Sequence, residues 1–403
     1  MVNVVFLHPD LGIGGAERAV IDAALALQSR NHQASLKVEF VTAHHDDNHC
    51  FKETTDGSLK VTVAGDWLPR SVCGRMYALC AYLRMVYAAL YLVFFSGISF
   101  DLVFCDQISA CIPVLRLQRK ASVLFYCHFP DLLLTQRQTL LKRLYRKPLD
   151  WLEEWTTGLA HCVLVNSKFT AGVFHRTFTS LGYMEPDVLY PIPDFTQFDG
   201  EVIAPTDDLI PAKDAIVFLS INRYERKKNL PLALDAMACL LEKESEQNIH
   251  LVMAGGYDDR VIENREHYLE LKERARSLGI EGHVTFKRSF SGEEKKTLLS
   301  SAECLLYTPD QEHFGIVPIE AMYMQCPVVA VRSGGPLETV VDGQTGFLCD
   351  PDAVSFCSAM EKFVSNRDLS KKFGRAGHER VISRFSFQAF THKLNGIVMN
   401  LCA

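Results

Sequence analysis

Residues 2–27 read VNVVFLHPDLGIGGAERAVIDAALAL, and this run decides the fold. Its first six residues form a short β-rich apolar stretch. The turn that follows carries Gly12, Gly14 and Gly15, and from Glu17 the apolar residues Val20, Ile21, Ala24, Leu25 and Leu27 recur at helical spacing. The grammar is strand, glycine loop, helix. It repeats with apolar runs at 38–42, 61–64, 102–105, 123–127 and 162–166, each between helical stretches, which predicts an α/β chain with a parallel sheet covered on both faces.

Further along, the periodicity stops at a stretch with prolines at 186, 191, 193, 205 and 211 and acids at Asp194, Asp199, Glu201, Asp207 and Asp208. A second series then begins, with strands expected near 216–221, 250–254, 284–287, 304–307 and 328–331. The expected organisation is a Rossmann-like domain over 1–195, a linker over 196–212, a second doubly wound domain over 213–386, and a helix over 387–403 that packs back on the first domain. Two such halves joined by a proline-rich hinge place a ligand cleft between them.

A chain of 403 residues agrees with two domains at about 100–200 residues each. With 48% hydrophobic and 22% charged residues it is a packed globular protein. The balance of 42 basic against 48 acidic residues gives a net charge of -6, so there is no global basic field to attract nucleic acid. Thirteen cysteines, an odd number without a C-x-x-C pair, read as thiols of a reducing compartment. The first residues run straight into an apolar strand without a basic leader, which reads as no signal peptide and a body facing the cytosol.

Two stretches suggest a membrane. Segment 76–100 (MYALCAYLRMVYAALYLVFFSGISF) has Arg84 as its only charge and is long enough to cross a hydrocarbon core of about 30 Å. Arg84 inside it, and basic residues on both flanks, favour an in-plane segment over a span, and a buried core helix fits the same pattern. From 137 to 147, Arg137, Lys142, Arg143, Arg146 and Lys147 interleave with Leu140, Leu141, Leu144 and Tyr145, the pattern of a basic amphipathic helix on an anionic surface.

The glycine loop resembles a dinucleotide fingerprint, but Glu17 stands where the third glycine belongs, which disfavours a nicotinamide site. In SINRYERKKN (220–229), Arg223 and Lys228 follow a strand and can neutralise a leaving diphosphate without a metal. In EHFGIVPIEA (312–321), Glu312 and Glu320 are separated by seven residues, with Gly315 in the loop and Pro318 in the first helical turn. That spacing predicts Glu312 reaching from a loop and Glu320 from the helix start, beside free N–H groups and able to accept from sugar hydroxyls. HHDDNHC (44–50) and Asp350-Pro-Asp352 carry metal-ligand residue types, but the first is crowded into a loop and the second reads as a turn and helix cap.

These motifs, with SGGPLE (333–338) and TGFL (345–348), resemble the retaining GT-B glycosyltransferases of family 4 over essentially the whole chain. HPDLGIGGAER (8–18), FYCHFPDLLL (125–134) and EHFGIVPIEAMYMQCPV (312–328) further resemble the eukaryotic α-1,3/α-1,6-mannosyltransferase branch of dolichol-linked oligosaccharide assembly. The resemblance implies a GT-B fold, GDP-mannose as donor and a dolichol-diphosphate chitobiose-mannose acceptor at the cytosolic face of the endoplasmic reticulum membrane. Other glycosyltransferases of the dolichol pathway are candidate partners.

It also implies roles. Arg223 and Lys228 hold the donor diphosphate in the second domain. Glu312 with the backbone of Phe314, Gly315 and Ile316 holds the mannose, and Glu320 takes the ribose hydroxyls. Gly14 and Gly15 approach the donor from the other domain, and His128 lies near the anomeric carbon. Asn229 departs from the family, which usually has glycine after the lysine. No metal or other cofactor is expected. The alternatives are a non-catalytic membrane scaffold of the same fold, another GT-B enzyme with a different donor or acceptor, and, more remotely, a dehydrogenase.

Overall fold

The computed structural model describes residues 2–29, 36–72, 74–135, 139–210 and 215–403. The chain divides into two compact units, Met1–Ile192 with Phe387–Ala403, and Pro193–Ser386.

The first unit is built on seven strands: β1 (Val2–His8), β2 (Leu36–Thr42), β3 (Lys60–Val63), β4 (Leu102–Asp106), β5 (Ser122–Cys127), β6 (Cys162–Val165) and β7 (Asp187–Val188). They pair in parallel in the order β3-β2-β1-β4-β5-β6-β7. Val4 of β1 faces Val38 on one side and Leu102 on the other. Because successive side chains point to opposite faces, Val5 and Leu7 enter one core cluster while Val4 and Phe6 enter another. Strand order reverses between β1 and β4, which is where open α/β sheets place ligands, beyond the carboxyl ends of the strands.

Helix Tyr77–Phe94 occupies most of segment 76–100. Its inner face, Met85, Ala88, Ala89 and Leu92, packs into the core beneath β1. Arg84 is buried on this face because its guanidinium donates to the Ala43 carbonyl at 2.8 Å and reaches Asp66 at 3.3 Å. By length and composition the helix could cross a membrane, yet 39% of its apolar window is buried in the unit. Its outer face exposes Tyr77, Leu83, Leu90 and Phe94.

The second unit has six parallel strands: β8 (Ile216–Ile221), β9 (Ile249–Gly255), β10 (Val284–Arg288), β11 (Cys304–Tyr307), β12 (Val328–Val331) and β13 (Gly346–Cys349). Their order is β10-β9-β8-β11-β12-β13, with the reversal between β8 and β11. The loops after β8 and β11 therefore emerge side by side at one edge.

Strands β7 and β13 lie outside the runs expected from sequence. β7 has two residues within the proline-rich stretch, and β13 is the segment recognised only as a motif. The stretch expected as a linker is partly fastened to the second unit, where Lys296 Nζ donates to the Asp199 and Gly200 carbonyls. Phe195, expected at the end of the first domain, also belongs to the second unit and stacks on Tyr323 at 4.2 Å. Helix Phe387–Cys402 joins the first unit: Phe390, Leu394 and Val398 enter its core, and Ser122 donates to the Leu401 carbonyl. The twelve described cysteines are all free thiols, and Cys73 lies outside the described residues.

Candidate functional site

At the switch point of the second unit, Lys228 and Glu312 meet. Lys228 closes a short 3-10 turn, Arg226–Lys228, after β8, and Glu312 lies in the loop after β11. Lys228 Nζ is 2.5 Å from Glu312 Oε2, and the lysine side chain is only 12% exposed. Thr308 Oγ1 donates to the Lys228 carbonyl at 2.7 Å and ties the two loops at backbone level. Arg223 lies in the same loop but is largely exposed, with its guanidinium 2.9 Å from Glu225. Asn229 adopts the left-handed conformation, φ 49° and ψ 42°. Asparagine is among the few side chains that tolerate this region, so the departure from glycine leaves the turn's shape intact.

The acid loop is held open by glycines. Gly315 caps helix Ile316–Tyr323 with φ 82°, and a Cβ there would stand 3.1 Å from the Tyr307 hydroxyl. Gly335 packs directly on the Phe314 backbone, where a side chain would collide, and its N–H donates to the Glu312 carbonyl at 2.8 Å. Phe314 is buried edge-on against Phe385, which leaves the backbone of the loop and first helical turn as its binding surface. Tyr307 lies beneath. Burial, then the Glu312 and Glu320 carboxylates, push its hydroxyl well above the ordinary phenol range and keep it protonated.

Glu320 differs from expectation. It belongs to the second turn of its helix rather than the start, is buried, and has Oε2 2.5 Å from Lys295 Nζ. The helix begins at Ile316, so Glu320 comes just after the first turn, which carries the free N–H groups. Asp352, read as a cap, is one: it caps helix Ala353–Ser365 and accepts from the Ser355 N–H at 2.8 Å. In the histidine-rich loop, His44 pairs with Asp66 and His45 with Thr54 and Asp47.

The first unit presents its own cluster at the reversal point. His128 follows β5, and its Nε2 lies 2.9 Å from Asp106 Oδ1 at the end of β4. Asp106 Oδ2 lies 3.0 Å from His8 Nδ1 at the end of β1, and His8 Nε2 lies 3.7 Å from Glu17 Oε1. His8 and Asp106 are fully buried. Burial alone pulls the His8 imidazole down, but its contacts with Asp106 and Glu17 outweigh that and raise it to about 9. Burial would likewise raise Asp106, yet His128 and His8 hold it below the ordinary carboxylate range. An ionised carboxylate only accepts, so His128 Nε2 carries the proton it donates and Nδ1 is its other polar atom.

The sequence reading found His128 but not His8 or Asp106. The available signal was a charged residue ending an otherwise apolar strand, at 102–106 and at 2–8. Gly14 also takes on a structural role: a Cβ there would overlap the Glu17 carboxylate, whereas nothing lies within 4 Å of one at Gly15.

The basic helix, Leu140–Thr157, sorts its cations. Lys142, Arg143 and Lys147 are exposed, together with Leu140, Leu144, Trp151 and Trp155 at helical spacing, and the two indoles stack at 5.8 Å. Arg146 does not belong to that face. It is 1% exposed and reaches Asp131 at 2.7 Å and Asp150 at 3.2 Å, so it is an internal ion pair rather than a membrane-facing group. Arg137 lies outside the described residues.

Residues 13–180 match the family Glycosyltransferase Family 4, and residues 207–380 match Glycosyl transferases group 1. The alpha-1,3/1,6-mannosyltransferase of Homo sapiens is 56% identical over 405 residues, covering 99% of this chain and 96% of that protein. Its counterpart in Dictyostelium discoideum is 46% identical, covering 99% and 98%. Among solved structures, sucrose-phosphate synthase from Thermosynechococcus elongatus superposes with a TM-score of 0.73 at 20% identity, covering 100% of this chain and 99% of that one, a likeness of fold. The chain therefore belongs to the α-1,3/1,6-mannosyltransferases, within the family 4 glycosyltransferases of GT-B fold.

Proposed function

We propose that the chain transfers mannose from GDP-mannose to dolichol-diphosphate-linked Man-GlcNAc2, making α-1,3 and α-1,6 additions on the cytosolic face of the endoplasmic reticulum membrane. The observation that carries this reading is the half-buried Lys228–Glu312 pair beside the glycine-opened loop at the switch point. In the free protein the two satisfy each other. A bound donor replaces that contact, with its diphosphate on Lys228 and Arg223 and its mannose hydroxyls on Glu312 and the loop backbone of Phe314, Gly315 and Ile316. Glu320 takes the ribose hydroxyls after sharing its carboxylate with Lys295.

Retention follows from same-face substitution. The bond from the anomeric carbon to the phosphate oxygen breaks, and its electron pair leaves with GDP. The acceptor oxygen bonds to that carbon from the same side and passes its proton to the departing phosphate. Lys228 and Arg223 stabilise the negative charge as it develops. His128 Nδ1 accepts a hydrogen bond from a sugar hydroxyl, and Gly14 and Gly15 leave the glycine loop's backbone accessible to the donor. Labelled mannose should pass from GDP-mannose to a synthetic lipid-diphosphate Man-GlcNAc2 and appear in both linkages. Transfer should persist in EDTA, because two cationic side chains serve the diphosphate. A covalent mannosyl-enzyme, or complete loss of turnover in the chelator, would contradict this mechanism.

The exposed leucines and tryptophans of helix Leu140–Thr157, flanked by Arg143 and Lys147, rest on the anionic surface that carries the acceptor, whereas helical rotation places Lys142 on the opposite side. Each cation contributes about 1 kcal/mol near such a surface, so changing Arg143 and Lys147 to glutamine should weaken binding to phosphatidylserine vesicles about 30-fold. Unchanged co-sedimentation would remove this face from the membrane.

A further inference from the structure

We infer that His8 is a positioning residue: clamped between Glu17 and Asp106, it links the glycine loop to His128 and sets which His128 nitrogen is offered to substrate. The inference rests on the reading that His128 acts in mannose transfer.

The geometry runs in one line through the first unit. Glu17 lies in the first turn of helix Gly15–Ser29, His8 ends β1, Asp106 ends β4 and His128 follows β5. The successive separations are 3.7, 3.0 and 2.9 Å. β1, β4 and β5 are neighbours in the sheet, so their ends lie beside one another. The charged groups facing His8 are Asp106 from β4 and Glu17 from the helix. With one carboxylate oxygen within 4 Å of each ring nitrogen, neither contact aligned as a hydrogen bond, the favourable state of His8 is the imidazolium, whose charge both carboxylates attract.

That buried cation has a consequence for Asp106, which is 1% exposed. A carboxylate at such depth stays ionised only if opposite charge and hydrogen bonds compensate its lost hydration. His8 supplies the charge without contacting solvent, and His128 supplies a hydrogen bond. Asp106 can then remain an acceptor and hold the Nε2–H tautomer of His128, so that Nδ1, on a side chain 23% exposed, is left as the acceptor. If His8 is neutral or replaced, Asp106 can take up a proton and donate, and His128 loses its single defined tautomer. Gly14 enters because its missing Cβ provides the space for the Glu17 carboxylate. A methyl group there forces Glu17 away from His8.

The test uses the full chain labelled with 15N-histidine, with the His128 resonances assigned by their loss in His128→Gln. His8→Gln should shift the His128 ring nitrogens from the pattern of one tautomer to an averaged one. It should lower kcat about 10 to 100-fold, with the KM for GDP-mannose unchanged, as when an orienting partner is removed. His8 is internal, so Glu17→Gln, on a side chain 20% exposed, serves as the variant that keeps the fold. It should move the same resonances in the same direction. Gly14→Ala should move the His128 resonances as Glu17→Gln does, and the double variant should move them no further than either alone, since both disturb the same contact. Turnover is no measure of that contact in Gly14→Ala, because in the proposed reading Gly14 also borders the donor.

An unmoved His128 spectrum with kcat retained in His8→Gln and Glu17→Gln would overturn the positioning role, provided His128→Gln itself abolishes transfer. Additive shifts of the His128 resonances in the Gly14→Ala, Glu17→Gln double variant would overturn the link to the glycine loop. If His128→Gln keeps full turnover, the reading of His128 in the reaction is what fails, and the spectra distinguish that outcome from the others.

Discussion

Replacing Lys228 with alanine lowers the kcat of mannose transfer about 100 to 1,000-fold, the cost of removing one preorganised donor from a developing charge. The effect is large because this lysine is mostly screened from water and rigidly placed. Its side chain is 12% exposed, Nζ meets Glu312 at 2.5 Å, and its carbonyl is held by Thr308. Charge interactions strengthen as the effective dielectric falls, so the same cation is worth less on an exposed stem such as that of Arg223. Truncation also leaves Glu312 without its partner. Lys228→Arg should restore only part of the rate, since a planar guanidinium does not fit a site shaped for a compact ammonium. Single-turnover transfer from labelled GDP-mannose measures this directly. A kcat within tenfold of the unaltered protein would remove Lys228 from the transition state.

Replacing Arg146 with alanine destabilises the first unit by about 3 kcal/mol, toward the lower end of the cost of breaking a buried ion pair because Asp131 is partly exposed. Folded domains have about 5–15 kcal/mol in all, so the urea midpoint should fall visibly. Arg146 reaches Asp131 and Asp150, and nearby Glu153 accepts from the Asp131 and Leu132 N–H groups. Burial, then the Asp131 charge, push Glu153 up to about 8. A carboxyl raised above its ordinary 4.5 favours the folded state at low pH and disfavours it as pH rises through the folded value. Losing Arg146 removes a charge that opposes this rise, so the deficit should be constant below about 8 and grow as pH rises above it, where Glu153 ionises in the unaltered protein but still holds its proton in the variant. Lys147→Ala, one residue away on the exposed face, should change stability by less than about 0.5 kcal/mol. Equal midpoints for the two variants would contradict the internal role of Arg146.

The contrast between Arg146 and Lys147 shows where linear reading ends. Both are basic, adjacent and within one amphipathic pattern, but 100° of helical rotation separates an ion pair from a surface cation. Arg84 makes the same point: the partners of an arginine in an apolar helix, here the Ala43 carbonyl and Asp66, come from other elements.

What the sequence determined by itself was local and periodic. Alternation of buried strands with helical spacing established two doubly wound units, since period and hydrophobicity are properties of neighbouring residues. The glycine loop, the Arg223–Lys228 spacing and the Glu312 block were legible because each lies within ten residues of chain. Tertiary structure alone decided the rest. Lys228 and Glu312 are 84 positions apart, and His8, Asp106 and His128 span more than a hundred residues. They meet because parallel pairing brings the ends of β8 and β11, and of β1, β4 and β5, to one edge of their sheets. Nothing in the composition of a single strand specifies which polar end group will face which. That follows from strand order, which long-range burial selects.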